Sequence, residues 1–180
     1  MTTRLLAPLA LTLLGTMLAQ SGGSKPEFQG KAVSRTGHLQ FDAGVEIVFP
    51  LFTPLGEKHW AKGWDPVIVY PPDRDVAEGM VFRTQDGVEH VWTVIHYDPA
   101  NHAVAYNVVA HEMMVRNIKV RCRPAGTART EVEVTDSYVG LSPQGNAFVE
   151  RLTEAAYEKK MAGWKESIGG YLAGIAKSGH

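Results

Sequence analysis

Chemistry-bearing residues are sparse in this chain, and the sharpest is Asp136. Over Arg129–Val139, two-residue alternation puts Val132, Val134, Asp136 and Tyr138 on one face and Glu131, Glu133, Thr135 and Ser137 on the other. A carboxylate on an apolar face has to find donors or let its pKa rise. Asp136 is therefore read either as a general base or as a structural carboxylate, held by backbone donors or by an arginine such as Arg116. On Glu89–Tyr97, His90, Trp92, Val94 and His96 share one parity, and Glu89, Val91, Thr93, Ile95 and Tyr97 share the other. Either face could be internal. If the first is, His90 and His96 become candidate acid–base groups or polar anchors, with Tyr106 and Tyr138 as companion hydroxyls.

Other chemistries lack their residues. His111-Glu112 has Val115 where a zinc-protease helix needs its second histidine, and the local sequence reads as a turn into a strand. No metal is expected there or elsewhere. Cys122, the single cysteine, shares parity with Ile118 and Val120, which fits a buried thiol better than a nucleophile. No phosphate-binding glycine loop and no Gly-x-Ser-x-Gly turn occurs, so no cofactor is expected. Net charge is -1 with both signs interspersed, which argues against nucleic acid or anionic lipid as a partner.

These residues need elements to position them. Arg4 followed by a nearly unbroken apolar run from Leu5 to Ala19 has the grammar of an export signal, and the run is shorter than the roughly 20 residues of a spanning helix. Cleavage after Ala19 and after Ser21 compete, and the small residues favour the second. The expected organisation is a signal peptide at 1–21, a flexible linker at 22–30 and one folded domain at 31–180, located in the periplasm or secreted. An uncleaved N-terminal membrane anchor is the lesser alternative; once the leader is removed, no stable membrane insertion is expected. With one cysteine, no intramolecular disulfide can staple the domain.

Val33–Phe41 suits a first strand. Val45, Val48, Phe49 and Phe52 then recur at helical spacing behind Asp42, read as the cap, and Pro50 limits that helix to a short or broken one. Thr53-Pro54 reads as the start of a second short helix running to about Trp60. From Pro66 to Leu141 the pattern is a meander of about six antiparallel strands. Turns are marked at Pro71-Pro72-Asp73, Asp86-Gly87, Asp98–Asn101 and Pro124–Thr127. In Val115–Arg123, Ile118, Val120 and Cys122 face inward. Ser142-Pro143 opens helical sequence to about Ala176, with Tyr157, Met161, Trp164, Ile168, Tyr171, Leu172 and Ile175 in a three-four stripe and a break near Thr153.

Several residues carry a family resemblance: Val48-Phe49-Pro50-Leu51-Phe52-Thr53-Pro54 with Gly56-Glu57, Trp60, Gly63-Trp64-Asp65-Pro66, Gly79 with Val81-Phe82, Trp92 with Tyr97-Asp98, and Gly140-Leu141-Ser142 with Gly145-Asn146. With them the chain resembles the SRPBCC or START-like helix-grip superfamily from about Ala32 to Tyr171. The resemblance is to bacterial members of the polyketide cyclase/dehydrase kind, which share the fold of the birch-pollen allergen, here in an exported version. It implies an α+β fold, a curved antiparallel sheet of about seven strands wrapped around a long C-terminal helix, with two short helices after the first strand. It also implies a cavity between sheet and helix. The expected lining is Trp60, Trp64, Trp92, Tyr106, Tyr138, Tyr157, Met161, Trp164 and Ile168, which suits a small hydrophobic molecule, a lipid or a polyketide-like compound. Fold does not dictate function. Three readings follow: a hydrophobic-ligand binding protein, a cyclase or dehydratase using cavity acid–base groups, and an envelope protein-interaction module with a filled interior.

Overall fold

The computed structural model describes residues 27–73 and 75–178; the expected leader at 1–21 and most of the linker lie outside the described residues. Ten residues, Ala32–Phe41, form β1, and six further strands follow in the chain: β2 (Val67–Tyr70), β3 (Val81–Asp86), β4 (Val88–Asp98), β5 (Ala103–Ala110), β6 (Met114–Pro124) and β7 (Thr130–Gly140). They pair antiparallel in the order β1-β7-β6-β5-β4-β3-β2. Strands β2 to β7 are thus a simple meander, while β1 adds to the far edge beside β7. The connection from β1 to β2 has to travel from one edge of the sheet to the other. It carries the two short helical segments and two tryptophans with it, and this places them over the inner face.

That connection is tighter than the expected pair of α-helices. Val45–Val48 makes one α-helical turn, α1, and Phe49–Phe52 and Gly56–His59 are 3-10 helices. Pro50 has no N–H to continue an α-helical ladder. Asp42 is not the cap: Gly44 occupies that position without a side-chain hydrogen bond, and Asp42 lies out in solvent 3.4 Å from Arg129. Thr53 does hold the next turn, donating from Oγ1 to the Pro50 carbonyl at 2.7 Å and accepting from the Gly56 N–H at 3.1 Å. A Cβ at Gly56 would collide with the Pro50 carbonyl, so this close approach requires glycine.

The helical region breaks as its pattern indicates. Pro143–Glu150 forms α2 and Glu154–Ser178 forms α3. Ser142 Oγ accepts from the Gly145 N–H at 3.0 Å, and Thr153 Oγ1 accepts from the Ala156 N–H at 3.2 Å. The main core gathers Leu39, Phe52, Phe82, Val94, Val108, Ile118, Val120, Val132, Val134 and Ile168 between sheet and helices. A smaller cluster of Ala110, Met114, Tyr138 and Val149 sits under α2. The result is an α+β helix-grip fold, a seven-stranded antiparallel sheet with a long C-terminal helix packed on it.

Where α3 sits on the sheet decides where space remains. A Cβ at Gly37 of β1 would meet Met161 Cγ at 2.6 Å and Tyr157 Cε1 at 3.1 Å. The first half of α3 therefore rests directly on the β1 edge, and Tyr157 donates to the Val134 carbonyl of β7 at 2.9 Å. The inner face of β3 to β6 is left to the residue 53–66 connection, which does not fill it.

Candidate functional site

A cavity of about 640 Å³ opens over that uncovered part of the sheet. Its wall draws on Trp60 and Trp64 of the connection, His90 and Trp92 of β4, Tyr106 of β5, Arg116 of β6, Tyr138 of β7, and Lys160 and Trp164 of α3. All four tryptophans of the chain line it. Three indole N–H groups are engaged by the fold: Trp60 donates to the Leu51 carbonyl at 2.7 Å, Trp64 to the Pro54 carbonyl at 2.8 Å, and Trp92 to Thr84 Oγ1 at 2.9 Å. The Tyr106 hydroxyl likewise donates to the Phe52 carbonyl at 2.7 Å. With these polar ends occupied, the rings present apolar surface. Trp64 meets Trp92 edge to face at 5.2 Å, and Trp60 meets Trp164 in the same way at 5.4 Å.

One side of the cavity is charged. Asp136 has no solvent exposure, and its two oxygens are taken by two cations: Arg116 Nε donates to Oδ1 at 2.7 Å and Lys160 Nζ to Oδ2 at 2.6 Å. Arg116 lies against the Trp92 and Tyr138 rings, and the Lys160 ammonium is 5.0 Å from the Trp164 ring centre. Burial, reinforced by the Arg116 charge, lowers the Lys160 ammonium to about 8 against the pull of Asp136. Facing the same space is Glu57, on the 3-10 helix Gly56–His59. Burial raises its carboxyl to about 8 despite the opposing attraction of Arg116 and Lys160.

The anticipated residues divide into those at the cavity and those elsewhere. Trp60, Trp64, Trp92, Tyr106, Tyr138 and Trp164 all line it. Tyr157 and Met161 do not, because they seat α3 on β1 at Gly37, and Ile168 is fully buried in the core. His90 also lines the cavity, and burial holds its imidazole below the ordinary value. His96 does not. A register shift between Val94 and His96 inserts an extra residue in β4, turning His96 outward, 3.6 Å from Glu78, and bringing Tyr97 inward against Phe49. Asp136 stands behind the wall as a paired carboxylate, so the structural reading with Arg116 describes its surroundings and no exposed base is available there. His111-Glu112 forms the turn between β5 and β6, with Glu112 in the left-handed region at φ 57. Among the described residues, no group of three His, Cys, Asp or Glu side chains could hold a metal ion, and no helix is long and apolar enough to cross a membrane.

Glu57 and Lys160 escaped the reading of the sequence. Glu57 lies in a segment with no regular period. Lys160 sits next to Met161 on a helix whose three-four stripe is made of apolar residues alone, and it lies one turn ahead of Trp164.

Residues 33–169 match the model of the family described as polyketide cyclase / dehydrase and lipid transport. No match was found among curated protein sequences. Among solved structures, norcoclaurine synthase from Thalictrum flavum, in complex with dopamine and hydroxybenzaldehyde, is similar with a TM-score of 0.58 at 14% identity, over 93% of this chain and 96% of that one. Ara h 8.0201 gives 0.60 at 12% identity over 80% and 99%. The di-domain ARO/CYC protein BexL of the BE-7585A biosynthetic pathway gives 0.58 at 16% identity over 76% and 46%. At such identities these likenesses speak to the fold, and the family match spans most of the chain. The chain belongs to the polyketide cyclase / dehydrase and lipid transport family.

Proposed function

We propose that this is an exported protein that holds a small hydrophobic ligand, lipid or polyketide-like, in the cavity between the sheet and α3. The observation that carries this reading is the cavity itself, about 640 Å³ with four tryptophans around it. That size and that composition suit one small ring-bearing molecule. A protein-interaction module with a packed interior would have no use for such a space. Burying roughly 300 Å² of apolar ligand surface yields on the order of 7 kcal/mol before ordering and association costs, which fits affinities around micromolar.

The test is native mass spectrometry on protein purified from its own host, with organic extraction of whatever is bound. A stoichiometric small hydrophobic species supports the reading. A clean apo mass, together with no quenching of tryptophan emission by N-phenyl-1-naphthylamine, overturns it. The same spectra report export: a mature mass lacking residues 1–21 is the expected result, and an intact N-terminus in the host argues against a cleaved leader.

A second reading, an enzyme of the cyclase or dehydratase type, is favoured by one observation: Glu57 lines the cavity with a carboxyl raised to about 8, close to the value a general acid–base group needs. His90 and Tyr138 share that wall. Turnover of a bound poly-ketone that disappears in Glu57→Gln, with binding retained, would distinguish it from a carrier.

A further inference from the structure

The charges at the cavity are arranged in depth. Lys160 and Arg116 form part of its wall, and Asp136, the carboxylate that binds both, stands behind them without exposure. A ligand therefore meets the cations first. Lys160 donates one hydrogen bond, to Asp136, and an ammonium has three donors. Arg116 Nη2 is buried 2.7 Å from Asp136 Oδ1, so Arg116 acts on the cavity through its charge and not through that nitrogen. Among the described residues, the Glu57 carboxyl makes no side-chain hydrogen bond or ion pair, although it shares the wall with both cations. The two remaining Lys160 donors have no acceptor among the described residues, and the side chain is 28% exposed.

We infer that the ligand of this cavity is a flat aromatic acid, its ring among Trp60, Trp64, Trp92 and Trp164 and its carboxylate or acidic enol against Lys160 and Arg116. The inference rests on the binding reading above and narrows it. A purely apolar molecule would cover the two cations and supply no acceptor, which is the expensive way to bury a donor. An amine would add a third cation. An anionic oxygen answers the remaining Lys160 donors directly and the Arg116 charge beside them, and it also accepts from the Glu57 carboxyl in the protonated form that burial favours at neutral pH.

The four tryptophans make the site its own reporter, since all of the chain's indole emission comes from the cavity wall. Quenching titrations, checked by calorimetry, with 2-naphthoate and its neutral methyl ester would decide the matter. Naphthoate is expected to bind at least tenfold more tightly than the ester at pH 7. Lys160→Met should weaken naphthoate by tenfold or more and leave the ester within threefold. Should that variant fail to fold, a pH series on the unaltered protein gives the same answer: naphthoate affinity falls between pH 7 and 9.5 as Lys160 and Glu57 lose their protons, and ester affinity does not. Across that window Arg116 and Tyr138 keep their protons, and His90 has already lost its own. Equal binding of acid and ester overturns the inference and leaves the binding reading intact. Failure of both compounds to bind overturns the two together.

Discussion

Lys160 of α3 and Asp136 of β7 are joined by a 2.6 Å hydrogen bond, and Arg116 of β6 completes the group from the opposite oxygen. One fully buried carboxylate thus fastens the gripping helix to two strands. Removing the negative charge strands two cations beside a cavity, and an uncompensated buried charge is costlier than the intact group is worth. Asp136→Asn is expected to lose about 3 kcal/mol of stability in urea denaturation. The triple variant Asp136→Leu, Arg116→Met, Lys160→Met should recover most of that loss. A loss below about 1 kcal/mol in the single variant would mean that the group contributes little to holding α3.

Glu57 should make stability fall as pH rises. Burial raises its folded-state carboxyl to about 8 from the ordinary 4.5, so between those pH values the unfolded chain has given up a proton that the folded chain retains. The unfolded state binds fewer protons there, and stability declines through that window. Glu57→Gln has no proton to lose and removes this pH dependence. Relative to the unaltered protein it should gain on the order of 2 kcal/mol at pH 8.5 and nothing near pH 4.5, less than the full shift allows because Glu57 is only partly buried. Denaturant midpoints of both proteins at the two pH values check this. An equal difference at each pH would show that the carboxyl titrates normally in the fold.

Cys122 provides a test of core integrity. It is buried beside Ile118 and Val120, and burial pushes its thiol up to about 12, so almost no thiolate exists at neutral pH. Iodoacetamide should label it only as fast as the protein unfolds, with the rate rising steeply toward the urea midpoint. Rapid labelling in native buffer would mean that β6 opens locally.

Much of the architecture was written in local chemistry. Ser142 and Thr153 announced both helix starts through side chains that cap their own next turn, and these signals need no tertiary context. The inward faces of β6 and β7 followed from strict alternation, which placed Ile118, Val120, Cys122 and Asp136 correctly. Alternation failed at His96 because a bulge reverses parity, and β4 carries no Gly or Pro to mark one. The stripe on α3 named its buried residues but could not say which would meet the sheet and which the cavity. That division depends on Gly37, a residue on another element more than 100 positions away. Glu57 was illegible for a different reason. Its raised pKa comes from enclosure by distant elements, and nothing in Gly56–His59 itself encodes that.

Gly37 is the residue on which the position of α3 turns. Its missing side chain lets Met161 and Tyr157 lie directly on β1, and a Cβ there would stand 2.6 Å from Met161 Cγ. Gly37→Val has to displace the Met161 and Tyr157 side chains, and in this packed seam the expected relief is an outward shift of the first half of α3 that carries Lys160 and Trp164 with it. The expected result is a loss of about 2–3 kcal/mol together with weakened quenching by any cavity ligand, since overpacking is relieved by shifting the backbone. Glycines on the same helix behave oppositely. Gly163, Gly169, Gly170 and Gly174 have nothing within 4 Å of the place a Cβ would occupy. Alanine at each should add about 0.5–1 kcal/mol through helix propensity alone. Thermal melts of Gly37→Val and Gly170→Ala, run beside a naphthoate titration, separate the two effects. A Gly37→Val protein that is as stable as the original and binds as well would mean that α3 has room to move on β1, and the cavity would then owe its shape to the residue 53–66 connection instead.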